Sequence, residues 1–124
     1  MSSLETPKCI EIPHEYLTVC GDVKVAILLS LIVYWYQQIT TRGSQGGIFR
    51  NGFMWIAKNR EQWAAATGLT RSQCRRATAI LNDKHLIDIK IMKLDGTPTT
   101  HLRLLTENLE KAVSNACGDM VIAS

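Results

Sequence analysis

Apolar positions gather first between Val25 and Tyr36, a twelve-residue run broken only by Ser30. It is shorter than the ~18–20 residues that a membrane span requires. Asp22 stands just ahead of it as an N-cap, so a helix from Val23 to about Ile39 is predicted. Apolar on nearly every side, that helix has to be covered from several directions and reads as the core helix. Before it, residues 1–21 hold Pro7 and Pro13 and no sustained period, and read as an N-terminal arm lying against the domain. After it, Thr40 to Gly47 holds three glycines in eight residues and reads as a loop.

The period then changes. Ile48 to Ala57 alternates loosely and is rich in aromatic and β-prone residues, which predicts a short strand or extended segment. Asn59 can cap a helix over Arg60–Thr67 with Trp63 on its inner face; Gly68-Leu69 breaks it, and Thr70 caps a further helix from Arg71 to about Lys84. Leu86 to Met92 alternates strongly as a strand, Asp95-Gly96 is a turn, and Thr99 to Leu105 returns. Thr106 caps a last helix to about Ala116, which Cys117-Gly-Asp119 ends. The expected class is mainly α with a small β-hairpin (α+β). A single domain spans 22–117, and 118–124 is a C-terminal tail.

Charge changes this picture more than composition does. The 124 residues carry 14 Lys and Arg against 11 Asp and Glu, a net charge of only +3. By segment, 1–47 has net −1, 105–124 has net −2, and 48–104 has ten basic against four acidic groups, net +6. A polyanion should therefore meet the middle of the chain. Cys9, Cys20, Cys74 and Cys117 are widely spaced without a CxxC pair, which points to free thiols in a reducing compartment and a cytoplasmic protein. No secretory leader and no membrane association are expected.

Two short helices joined at Gly68 and followed by a hairpin predict a winged helix-turn-helix with an extra N-terminal helix and a C-terminal helix. In that layout the second helix of the pair enters the major groove, where base edges carry distinct donor and acceptor patterns. Leu69, Cys74, Ala77 and Ile80 or Leu81 recur at three- and four-residue steps and face inward. Thr70, Arg71, Ser72, Gln73, Arg75 and Arg76 are left for solvent or nucleic acid. Arginine can donate twice to guanine and glutamine can pair with adenine, so Arg71, Gln73 and Arg75 are the expected base readers. Thr70 and Ser72 suit phosphates, and Lys84, Lys90 and Lys93 add to the positive group that phosphate attraction requires. In the hairpin, Lys93, Thr97, Thr99 and His101 could approach the DNA backbone or minor groove.

Gly68-Leu-Thr-Arg-Ser, Arg75-Arg-Ala, Leu81 and Leu86-Ile87 before a strand resemble the winged helix-turn-helix DNA-binding domains of bacteria and their phages, over about residues 58–105. Ile27 to Trp35, Gly52-Phe-Met-Trp-Ile56 and Glu61-Gln-Trp63 are similar to the N-terminal winged-helix modules of phage and plasmid replication proteins of the replisome-organiser type. The resemblance implies double-stranded DNA binding through residues 70–84, regulating transcription or replication of a phage, plasmid or integrated element. The sequence departs from the pattern at His85, where such domains usually end the helix with glycine, and at Thr78, where leucine is common. Replication proteins of this type usually carry a further domain, whereas this sequence ends after one helix, an expectation against a complete initiator.

Other chemistry is not expected. His14, His85 and His101 lack metal-ligand spacing, and Gly43 to Gly47 follows a helix and lacks the lysine of a phosphate loop, so neither metal nor cofactor is anticipated. Cys74 reads as core, not nucleophile. Trp35, Trp55, Trp63, Tyr34, Tyr36 and Phe53 read as core or interface in preference to a base-stacking set. No nucleophile comes with a base, so no enzyme is expected. Surplus apolar surface on the first helix and on Leu109, Ala112, Val113 and Ala116 suggests a homodimer. The alternative function is a protein-interaction module that docks on a replication or host factor.

Overall fold

The computed structural model describes residues 11–41, 47–50, 52–58, 60–94 and 96–123. Five helices and a four-stranded antiparallel sheet alternate in the order α1 (His14–Cys20), α2 (Val23–Thr41), β1 (Gly47–Arg50), β2 (Phe53–Ala57), α3 (Arg60–Thr67), α4 (Arg71–Asp83), β3 (Ile87–Leu94), β4 (Thr97–Leu104) and α5 (Thr106–Ala123). The fold is α+β, as the periodicity predicts, with one more helix and one more strand than expected.

The extra helix, α1, lies within the segment read as an arm. Pro13 precedes its first turn, where the missing N–H costs no intrahelical bond. Pro13 O accepts from Tyr16 N at 2.9 Å. Gly21 ends the helix in the left-handed region, at φ 74°, the usual place for a glycine. Cys20 is buried there, and Tyr16 and Val19 pack on the core.

Asp22 caps α2 as expected, its carboxylate accepting from Lys24 N at 2.7 Å. Val25, Ala26, Leu28, Leu29, Leu31, Ile32, Trp35 and Ile39 are all buried, so this helix is the core's central rod. Ser30 is buried at no hydrogen-bonding loss, because its hydroxyl donates to Ala26 O at 2.8 Å. The stretch Val23–Thr40 is longer than the run read from sequence, and by length and composition it could cross a membrane. In this fold half of it is enclosed by the rest of the chain.

The extra strand comes from the segment read as one extended piece. It folds back on itself as the β1–β2 hairpin, with Arg50 opposite Phe53 and Gly52 at φ 83°. The pair Asn51-Gly52 is a strong two-residue turn signal that outweighs continuous alternation. β3 and β4 form the second hairpin, Leu94 opposite Thr97, with Gly96 at φ 83°. The sheet order is β1-β2-β4-β3, so β4 lies between β2 and β3 although it is made last. Ile56 pairs with Leu102, and these two with Ile87 and Leu104 turn one face of the sheet onto the helices.

α5 also runs beyond its predicted end, through Gly118 to Ala123. Glycine in a helix interior costs about 1 kcal/mol relative to alanine but stops the helix only when it adopts the left-handed conformation. The expected cap at Asn59 and the expected pairing state of Cys9 lie outside the described residues. So do the Thr40–Gly47 loop beyond its two ends and the side chain of Cys117.

Candidate nucleic-acid interface

α3 and α4 meet at Gly68, whose φ of 78° turns the chain while its N–H donates to Ala64 O at 2.9 Å. Glycine takes that conformation without steric cost. Trp63 on α3 is buried, its ring 4.9 Å from that of Trp35. α4 starts with a reciprocal cap. Thr70 Oγ1 accepts from Gln73 N at 3.1 Å, and Gln73 Oε1 accepts from Thr70 N at 2.9 Å. Cys74, Ala77 and Leu81 are buried and Leu69 and Ile80 partly so, which matches the inward face expected from spacing.

At about 100° per residue, Ser72, Arg76, Ala79 and Asp83 lie opposite that buried stripe, with Arg71 and Arg75 to one side. Arg71, Ser72, Arg75 and Arg76 are exposed. Among the described residues the ion pair is Arg103–Asp88 at 3.4 Å, and none of the three α4 arginines takes part in one. Gln73 differs from expectation. Its Oε1 is committed to the cap, so the two-pronged O and N contact that adenine needs would require opening the helix start.

The lysines do not gather into one group. Lys93 shares its sheet face with Ile89 and Ile91, the residues that meet α4 across a cleft. Lys90, three residues earlier, points from the other face, and its Nζ lies 6.0 Å from the centre of the Trp55 ring. Lys84 caps the far end of α4 and acts electrostatically on Cys20. The helical rise separates it from Arg71 by about 20 Å along the axis. Of these groups Arg75 lines the cleft. Arg71 lies on the same side of α4 and Lys93 on the facing sheet surface, Arg76 lies opposite the buried stripe, and Lys84 and Lys90 lie apart.

His101 moves furthest from expectation. It is 0 % exposed, edge-on to Trp55 at 6.5 Å, with Nδ1 2.8 Å from Thr99 O. It belongs to the sheet's second face and cannot meet a DNA backbone. Thr97 stays exposed, and Thr99 turns its hydroxyl to Thr97 O. The aromatic set divides. Trp35, Trp55 and Trp63 are buried, whereas Phe53 is 46 % and Tyr34 39 % exposed. Arg103 lies over Phe53 at 3.9 Å and near Trp55 at 5.6 Å. That cation–aromatic arrangement has no local signal in the sequence.

Much of the apolar surface from which a homodimer was expected is used internally. α2 packs against α1, α3, α4, β2 and β4, and Leu109 and Ala116 are buried. Cys20 and Cys74 are free and buried. Burial pushes the Cys20 thiol up to about 11 despite nearby Lys84, since a thiolate is poorly solvated there. Cys74 Sγ lies 3.4 Å from the Thr67 hydroxyl, a packing contact between α3 and α4. Among the described residues no group of three or more His, Cys, Asp or Glu could hold a metal ion. Comparison with protein-family models, curated proteins and solved structures returns no match to this chain.

Proposed function

We propose that this chain is a winged-helix protein that binds double-stranded DNA in a sequence-specific way, with α4 as recognition helix and β3–β4 as wing. The observation that carries the reading is the exposed triplet Arg71, Arg75 and Arg76, free of ion pairs among the described residues, on the outer side of a capped helix. The connectivity α2–β1–β2–α3–α4–β3–β4, with β4 between β2 and β3 in the sheet, supports it, since a helix pair followed by a β-ribbon is the order a winged helix requires. Arg71 and Arg75 are the base readers; Gln73 acts by holding the helix start; Thr70, Ser72, Arg76 and Lys93 meet phosphates. Regulation of transcription or replication in a phage, plasmid or integrated element is the process this proposal favours, through the family resemblance.

Selection of bound fragments from random double-stranded DNA should return a short motif. Its affinity should fall steeply with salt, because each neutralised phosphate releases counterions. The Arg71→Ala/Arg75→Ala double variant should lose most of that affinity and its preference for the motif. Unchanged affinity of the double variant would overturn the reading. A second reading, docking on a protein, is favoured by exposed Phe49 and Ile91, 68 % and 70 % accessible. Binding through these side chains would persist at high salt, which separates the two.

A further inference from the structure

Between α4 and the β3–β4 hairpin lies a cavity of about 280 Å³. Its walls are mainly apolar, with Trp63, Ile89, Ile91 and Leu102 among them. Two cations, Lys58 and Arg75, join the lining, and no carboxylate does among the described residues. Trp63 is nine-tenths buried, and its indole N–H finds no acceptor among the described residues. The Lys58 ammonium lies 4.7 Å from the centre of the Trp35 ring, and that ring leans on Trp63.

We infer that this cavity binds a small organic monoanion with a flat apolar body, a carboxylic acid of the aromatic class. The apolar walls take the ring system, and the carboxylate faces the charges of the lining, which are both positive. An unsatisfied buried N–H adds a donor that an acceptor oxygen would complete. The size, close to the lower end of about 300 Å³ for small-molecule sites, admits one or two fused rings. Partial burial lowers the affinity of Lys58 for its proton, and a carboxylate beside it would reverse that shift. Because α4 forms one wall and the hairpin the other, an occupant sets the spacing of those two elements. That consequence for DNA rests on the reading above; ligand binding itself does not.

The test titrates indole-3-acetate, and indole-3-acetamide as its uncharged twin, into the full chain without DNA, following tryptophan fluorescence and heat. The acid should bind and the amide should bind at least about tenfold more weakly, as loss of a charge-assisted contact implies. Lys58→Met, which keeps an unbranched apolar side chain there and removes the charge, should markedly reduce that preference, Arg75 remaining in the lining, while the fold, checked by circular dichroism, is retained. Equal affinity for acid and amide, no binding of either at millimolar concentration, or an unchanged preference in a folded Lys58→Met variant would each overturn the inference. DNA is absent from this assay, so its failure leaves the DNA proposal standing, and a failed DNA selection leaves this one standing.

Discussion

Thr70 and Gln73 hold each other: the threonine hydroxyl accepts from the glutamine backbone N–H at 3.1 Å, and the glutamine side-chain oxygen accepts from the threonine backbone N–H at 2.9 Å. Two backbone donors that a helix start leaves unpaired are satisfied in one exchange. Gln73→Ala should therefore cost about 1 kcal/mol of stability, read by urea denaturation. It should leave the preference for a selected DNA motif unchanged. A changed motif with unaltered stability would return Gln73 to the base readers.

Arg71 works against its own helix. It occupies the first turn, where no acidic side chain stands and the macrodipole is positive. Arg71→Ala should leave thermal stability equal to or slightly above the parent, by about 0.5 kcal/mol. The same variant should lose about 1–3 kcal/mol of DNA affinity. Melting curves and mobility shifts on one preparation check both signs.

His85 sits at φ 59°, a left-handed conformation that side chains with a Cβ adopt at a cost. The bonds His85 N to Asn82 O and Leu86 N to Leu81 O measure 3.0 and 3.1 Å. They are those of a helix ending that favours glycine. Asn108 adds a donor to His85 O at 2.7 Å. The turn is thus kept although histidine stands where glycine would fit more easily. His85→Gly should raise stability by about 1 kcal/mol, seen as a higher melting temperature.

Burial raises the Cys20 thiol from 9.0 to about 11, with Lys84 pulling down and Asp22 pushing up more weakly. The folded state therefore keeps a proton that the unfolded chain releases near pH 9. That stabilisation is complete below pH 9 and is lost as pH rises towards 11. Tyr16 and Tyr36, both raised mainly by burial, act in the same direction. Denaturation midpoints should fall over this range, less steeply in Cys20→Ala. Under mildly alkaline native conditions Cys20 should react with iodoacetamide far more slowly than in the denatured chain.

Local pattern carried much of the architecture. Apolar spacing and caps placed α2, α3, α4, β3 and β4 close to their observed limits. The Asp22 and Thr70 caps formed as expected because N-capping needs only the next few residues. The β1–β2 turn was also legible, in Asn51-Gly52, but loose alternation across it suggested a single segment. α1 was hidden because seven residues beside prolines show no measurable period.

What the amino-acid order determined alone is the two-sidedness of α4: a repeat near 3.6 residues puts Cys74, Ala77 and Leu81 inside and the arginines outside in any helix. Tertiary structure alone decided the fate of His101, Trp55 and Lys90. Their surroundings come from β2, β3 and β4 lying side by side, with Ala57 opposite His101 although the two are far apart in the chain. Short-range periodicity contains no term for such pairing, because the strand that becomes a neighbour is chosen by the packing of the whole sheet on α2.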